Sequence, residues 1–210
     1  MSCNTRDFDS EARFWDENPG RVKMASSVGD AIRANAAITD QLNVLDFGCG
    51  TGLLTLQFQP LVKRITGADS SQGMLDILAS KIENIGLKNV SIIYMENGNI
   101  GRLNGSFDLI ISSMTLHHIN DTDPLLVKFF EILKPGGMLC IADLDPDEGL
   151  FHSDNTGVFH FGFEREKLKS EFEKAGFSCV KDVTAAEVTK PLPDGGERRF
   201  SLFLISGKKE

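Results

Sequence analysis

Two groups of residues in this 210-residue chain have types and spacings suited to chemistry. The first is the run Asp46-Phe47-Gly48-Cys49-Gly50-Thr51-Gly52, which closes a short apolar stretch, NVLDF. Glycines at alternate positions take side chains out of the way, so the backbone can turn tightly and approach a ligand closely. The next apolar stretch ends in Asp69, whose carboxylate can accept both hydroxyls of a ribose. The spacing is G-x-G-x-G; the third glycine of the nicotinamide fingerprint G-x-G-x-x-G falls on Leu53. On its own, the pattern fits an adenosine-containing dinucleotide or another adenosyl cofactor. The second group is the four histidines, His117 and His118 in one stretch, His152 and His160 in another. An imidazole near pH 7 takes a proton from a phenol, hydroxyl or thiol, although each ring also has a structural reading as a partner for loop backbone.

Apolar and polar periodicity predicts the scaffold that positions these groups. A helical segment runs to about Ala37, with Val22, Ala25, Val28, Ile32 and Ala36 on one face. Strands are expected at 43–47, 62–69, 89–95, 107–113 and 138–143. Helices are expected from Leu53 to Phe58, from Gln72 to Ile85 with Gly86 as its cap, and over LLVKFFEILK. For the last of these, Asp123 serves as N-cap, Pro124 fills the first turn and Gly136-Gly137 is the break. A helix over EREKLKSEFEKA, capped by Gly176, and two strands near 178–189 and 199–206 joined by a turn with PLPDGG complete the chain. Strand-helix alternation implies right-handed crossovers and an α/β fold: seven strands, mainly parallel, helices on both faces. The closing pair is antiparallel to each other. In such sheets ligands sit outside the carboxyl ends of the strands, so the loops after the first, second, fourth and fifth strands line one crevice.

Composition narrows the partners. With 41% hydrophobic and 25% charged residues, the chain has the make-up of a globular domain with a real core. A net charge of −8 repels a phosphate backbone, and the densest basic pairs, Arg198-Arg199 and Lys208-Lys209, lack interleaved aromatics; nucleic acid is not expected. No apolar run nears the roughly 18 residues of a membrane span, and the acidic N-terminus is unlike a signal peptide. Cys3, Cys49, Cys140 and Cys179 are scattered without zinc spacing. A cytoplasmic location, with no membrane partner, is the expectation.

VLDFGCGTG, then GADSS, then GSFDLIISSMTLHHI, then ILKPGG, in this order and spacing over residues 40–145, resembles the class I S-adenosylmethionine-dependent methyltransferases, closest to the small-molecule branch that includes ubiquinone/menaquinone-biosynthesis-type enzymes. The resemblance implies a single Rossmann-like methyltransferase domain whose last strand is antiparallel. Residues 1–40 would form a helical cap, 41–145 the cofactor-binding core, 146–163 a substrate-side insertion and 164–210 the final helix and strand pair. It also implies that Asp46, Gly48, Cys49, Gly50 and Gly52 wrap the methionine and ribose of S-adenosylmethionine, with Gly48 and Gly50 at closest approach. Asp69 would hold the ribose, with Ser70 and Met74 near the adenine. Where the family often has Gly-Asp-Ala, this chain has Gly98-Asn99-Ile100, so Asn99 would offer its amide oxygen and Ile100 its backbone N–H.

The implied acceptor pocket is built from the N-terminal segment and the loops after strands four and five. His118 and His160, then His117 and His152, are the candidate bases or substrate contacts, and Arg21 is a candidate partner for the cofactor carboxylate. Phe8, Phe14, Trp15, Phe151, Phe159, Phe161 and Phe163 either line an apolar pocket or pin the lid to the core. His152 and Asp154, with Asp143, Asp145 and Asp147, allow a metal site, but these acids equally suit a loop rich in turns, and no metal is expected. The reading is therefore methyl transfer to a small, apolar or aromatic acceptor. The alternatives are a non-catalytic cofactor-binding module and a nicotinamide dehydrogenase, the latter disfavoured by Leu53.

Overall fold

Alternating side chains in the central strand set the layering. β1 (Asn43–Phe47) sends Val44 to one side and Leu45 and Phe47 to the other, all of them buried, as a strand covered on both faces requires. In the computed structural model, which describes residues 6–192 and 195–210, six further strands flank it: β2 (Arg64–Asp69), β3 (Val90–Tyr94), β4 (Phe107–Ser113), β5 (Leu133–Leu144), β6 (Ser178–Pro191) and β7 (Glu197–Lys208). They form one sheet in the order β3-β2-β1-β4-β5-β7-β6. β7 pairs antiparallel with both of its neighbours and every other pairing is parallel. Cys3, and Pro193 and Asp194 of the expected final turn, lie outside the described residues.

Six helices cover the sheet: α1 (Phe8–Glu11), α2 (Pro19–Asn35), α3 (Thr55–Phe58), α4 (Gln72–Ile85), α5 (Asp123–Ile132) and α6 (Arg165–Lys174). On one face, Leu45, Ile110, Leu139 and Phe203 pack with Phe129 of α5 and Phe172 of α6. Opposite them, Val44, Ile65, Ile111 and Leu204 pack with Ile32 of α2 and Phe58 of α3. Each such fully buried side chain contributes roughly 1.5–3 kcal/mol relative to exposure. Local chemistry places the helix ends. Asn18 accepts from the N–H groups of Gly20 and Arg21 to start α2 with Pro19 in its first turn; Ser71 Oγ accepts from Met74 N to start α4; Gly86, left-handed at φ 74°, ends α4. Among the described residues no helix is long and apolar enough to cross a membrane.

Three local differences from expectation have physical causes. α5 begins at Asp123, after Thr122, and stops at Ile132 instead of running to Gly136. Leu133 already pairs with Phe107 of β4, while Gly136 N donates to Lys209 O and Lys209 N to Gly137 O. The glycines therefore shape an irregular strand entry, with Gly136 at φ 80° and no room for a Cβ at Gly137. Second, α3 is a single turn, Thr55–Phe58, because Leu53 and Leu54 still belong to the loop that lines the cavity described below. Third, the final strands are longer than predicted, reaching Pro191 and Lys208.

The chain moves outward from β1 through β2 to β3, then returns to β4 on the other side of β1, which makes the β1/β4 boundary the switch point where a crevice opens. The N-terminal strap, Arg6 to Asn18, crosses this end of the sheet and rests on the start of α4. Asp9 accepts from Ser71 Oγ and Gly73 N, and Asp16 accepts from Thr51 Oγ1 and Lys81 Nζ. The contact at Gly73 is backbone to backbone: a Cβ there would lie 2.8 Å from Asp9 Cα. Gly73→Ala is expected to lift the strap, lowering stability by about 1–3 kcal/mol and exposing residues 6–18 to limited proteolysis. Unchanged melting and cleavage would show that the strap is not seated on α4.

Candidate active site

The loop after β1 is built from glycines that cannot be replaced. Gly48, Gly50 and Gly52 all have positive φ (70°, 53° and 86°), which only glycine adopts readily. Their surroundings differ. A Cβ on Gly48 would fall 2.1 Å from Thr115 Oγ1 and one on Gly52 would fall 2.4 Å from Leu78 Cδ1, whereas Gly50 meets nothing nearer than Met74 Sδ at 3.9 Å. Gly48 and Gly52 thus wedge the loop between the β4 loop and α4, and Gly50 presents bare backbone to open space. Cys49 turns its side chain under Gly67, so it offers the space only backbone.

That space is a cavity of about 510 Å³, in the range of small-molecule sites. At one end, Asp69 receives Gly50 N–H on Oδ2 (2.8 Å) and Ser71 N–H on Oδ1 (2.9 Å). Each carboxylate oxygen keeps a lone pair for a further donor. Burial raises the Asp69 pKa against these bonds, and Asp9 adds to the rise. Asp46 is buried with its carboxylate on Thr55 Oγ1; burial, opposed by that hydrogen bond, brings its pKa to about 7. Ser70, Met74, Met95 and Gly98 continue the wall. Asn99 and Ile100, expected here, do not line the cavity. Asn99 Oδ1 instead accepts from Gly101 N at 2.9 Å, capping a 3-10 turn, and Ile100 packs against the core.

The other end combines aromatic rings, cations and histidines. Phe8 and Trp15 come from the strap, Phe151 and Phe159 from the loop after β5; Phe14 and Phe161 are exposed, and Phe163 packs on the core. Arg21 lies 3.7 Å from the Trp15 ring centroid and shares Glu11 with Arg6, while Lys190 donates to Phe151 O (2.8 Å) and caps that ring. Among the described residues, Glu11 is the one carboxylate paired with the two arginines and Lys190 has none. Burial, with Arg21 and Arg6 nearby, lowers the Lys190 pKa. Arg6 and Lys190 carried no sequence signal, since their neighbours on the cavity come from distant elements.

Three histidines meet at this end. His117, buried, bonds through Nδ1 to Asp143 Oδ1 (2.7 Å), and its Nε2 is 3.2 Å from His152 Nε2. His118 Nδ1 bonds to Gly157 O at 2.7 Å. Burial, then the neighbouring rings, lowers the pKa of His118 to about 4 and of His152 to about 3, leaving both neutral at pH 7. Asp143 is also buried, yet His117 and the N–H groups of Leu144 and His117 hold its pKa below the usual carboxylate range. His160 does not line the cavity: its Nε2 donates to Ile119 O at 2.9 Å and its ring lies against Phe163, latching the two loops together. The loop acids are occupied too. Asp145 holds Arg165, Asp147 accepts from Gly149 and Phe151 N–H, and Asp154 caps Thr156.

The methyltransferase domain family matches residues 44–137, the stretch from β1 to the start of β5. An uncharacterized methyltransferase of Schizosaccharomyces pombe is 30% identical over 190 residues, covering 80% of this chain and 67% of that protein. This chain belongs to the class I S-adenosylmethionine-dependent methyltransferases. Also similar are a trans-aconitate 2-methyltransferase of Deinococcus radiodurans (37% identical, 47% of this chain, 36% of that protein) and a ubiquinone/menaquinone biosynthesis C-methyltransferase of Pseudoalteromonas translucida (32%, 55% and 47%). The chain spans two thirds of the yeast relative's length and less than half of the other two. The solved YcgJ protein of Bacillus subtilis shares the fold, with a TM-score of 0.75 at 18% identity over 88% of this chain and 98% of its own. The cofactor of this methyltransferase is S-adenosylmethionine, and the glycine loop with Asp69 is the part of its cavity suited to a nucleoside.

Asp46 gives a pH test. Folded, the carboxyl keeps its proton to about pH 7; unfolded, it ionises in the ordinary carboxylate range. Its contribution therefore lowers stability as pH rises from about 4 to about 7 and is level above that. Asp46→Asn keeps an acceptor for Thr55 Oγ–H and removes the penalty. The variant should be more stable than the wild type at pH 8, by up to about 4 kcal/mol, with the gap shrinking toward pH 4. Denaturant melts across this range would show a parallel pair of curves if the carboxyl were ordinary.

Proposed function

We propose that this methyltransferase moves the sulfonium methyl group to a small, apolar or aromatic acceptor that carries an acidic substituent. The observation that supports this most directly is one continuous cavity with two chemically different ends: bare loop backbone, Asp69 and Met74 at one, rings, cations and histidines at the other. At the first end, Gly50 lets the cofactor approach, Asp69 takes its ribose hydroxyls and Ser70 and Met74 flank its adenine; Arg21, from the other end, is the partner assigned to the carboxylate of its methionine part. A cavity of about 510 Å³ shared with that cofactor leaves room only for a compact acceptor. Phe8, Trp15, Phe151 and Phe159 suit an apolar body, and the positive charge left on Arg6 and Lys190 suits an anionic end. Two relatives, named for trans-aconitate and for ubiquinone/menaquinone biosynthesis, are consistent with small acceptors.

The chemistry is an in-line displacement. The acceptor atom's lone pair forms a bond to the methyl carbon, the carbon–sulfur bond breaks, its electrons remain on sulfur, and S-adenosylhomocysteine leaves with the acceptor's proton released separately. The protein's share is alignment, exclusion of water by the strap, and care of that proton. His117, His118 and His152 face the acceptor end, so proton handling falls to them and not to His160.

Two measurements test the reading. Calorimetric titration should show saturable binding of S-adenosylmethionine and S-adenosylhomocysteine but not of NADH. Asp69→Ala loses charged hydrogen bonds worth about 1.5–3 kcal/mol each and should weaken both at least about tenfold. A folded Asp69→Ala protein that binds as well as the wild type would remove the ribose assignment. In an acceptor screen with methyl-labelled cofactor, hydroxylated or thiol-bearing aromatic acids should be methylated in preference to their neutral amides. Lys190→Met should erase that preference through KM while leaving kcat near its original value. Equal turnover of acids and amides by the wild type would rule out the anionic end.

A further inference from the structure

We infer that His117, His118 and His152 form a binding site for one divalent transition-metal ion of the zinc class, at the acceptor end of the cavity. Three facts converge on it. One ring nitrogen from each histidine lies within 4.8 Å of the other two. The closest pair, His117 Nε2 and His152 Nε2, is 3.2 Å apart, close to the roughly 3.3 Å separating two ligands about 2.05 Å from a tetrahedral zinc ion. All three rings line the cavity, so a fourth position would face the acceptor.

The tautomers follow from the second ring nitrogens. His117 Nδ1–H donates to Asp143, and His118 Nδ1–H donates to the carbonyl of Gly157, so Nε2 is the atom of each ring left for a metal ion. Asp143 has the position of the carboxylate that orients a ligating histidine and raises its basicity. A shared proton can join His117 to His152, but it does nothing for the third lone pair. A cation satisfies all three. Three imidazole nitrogens and one open position select zinc, cobalt or nickel over magnesium or calcium, which prefer oxygen ligands. This differs from a carboxylate metal site: Asp145, Asp147 and Asp154 are held by Arg165, by loop backbone and by Thr156, and only Asp143 takes part, from behind His117.

The ion's role rests on the function proposed above, whereas its binding does not. An acceptor hydroxyl or thiol bound at the fourth position loses its proton to water more readily, and its lone pair then displaces the sulfur from the methyl carbon.

The test uses the metal alone. Protein stripped with chelator is titrated with cobalt(II) and followed by visible absorption, with zinc as competitor and metal analysis for stoichiometry. The expected result is one ion per chain, with the intense visible bands of a four-coordinate cobalt site, displaced by zinc. His152→Ala, on a half-buried loop, should weaken binding at least a hundredfold, and Asp143→Asn about ten- to a hundredfold. Melting curves and S-adenosylmethionine titration of the same preparations establish that each variant is folded. No cobalt spectrum, sub-stoichiometric metal, or binding indifferent to His152→Ala in folded protein would overturn the site and leave a hydrogen-bonded histidine pair. Cobalt binding without cofactor binding would keep the metal site and remove the methyltransfer reading; the reverse would do the opposite.

Discussion

Backbone at the end of β1 has to pass between two neighbours that leave no room for side chains, and the active-site architecture depends on that passage. Thr115, in the loop after β4, occupies the place where a Gly48 Cβ would be, and Leu78 of α4 does the same at Gly52. The loop is therefore clamped from the β4 side and from the helix side at once. Met114, beside Thr115, is held at φ 56° to make this contact, a left-handed conformation uncommon outside glycine. Between the two clamps only Gly50 is free of packing, and its N–H is taken by Asp69 from the neighbouring strand. One carboxylate thus ties β2 to the β1 loop and leaves its remaining lone pairs facing the cavity.

Charge is divided along the cavity in a way that burial enforces. At the glycine end, two acids sit where burial raises both pKa values, so each needs donors: Asp46 has Thr55, and Asp69 has the backbone N–H groups of Gly50, Ser70 and Ser71. A ligand rich in hydroxyl donors is what such a wall lacks. At the opposite end, Glu11 is shared by Arg6 and Arg21, and Lys190 is held by a carbonyl and the face of Phe151 with Asp147 nearby as an opposite charge. Two arginines sharing one carboxylate keep donor capacity beyond that pairing, which is what the proposed acidic substituent would use. The histidines lie at the side of this region, His117 fixed by Asp143 and His118 by Gly157.

Those parts of the fold and site that depend on local sequence were legible. The strand at 43–47, the helix from Gln72 to Ile85 with its Gly86 cap and the strand at 107–113 follow from periodicity and capping residues, and they are found with those bounds. The glycine spacing and Asp69 pointed to the crevice because both lie at strand ends. What local pattern misread was settled by partners far away in the chain. Gly136-Gly137 reads as a helix stop until Lys209 is seen pairing with it. Asn99 reads as a ligand contact until its carboxamide is seen closing the turn at Gly101. His160 has the same residue type and nearly the same sequence position as His152, yet the carbonyl of Ile119 turns it out of the cavity. Nothing local distinguishes these two rings; the register of one loop on the other does.

The strap is the part of the cavity wall held least by apolar packing. Arg6, Phe8 and Trp15 of the strap form part of the wall. Its anchoring is polar. Asp9 and Asp16 bond to the start of α4, to Thr51 and to Lys81, and from Phe8 to Glu17 only Ala12 is buried. Regions with few buried apolar contacts and exposed hydrogen bonds open at the lowest free energy in a folded protein. The sheet and its two helical layers bury whole Leu, Ile and Phe side chains and do not share this property. The wall can therefore part at the strap while the sheet and its helical layers stay packed, with the loss of the Asp16–Thr51 bond to the glycine loop and of the Phe8–His118 ring contact. Closure then brings Arg6, Phe8 and Trp15 back over whatever has bound.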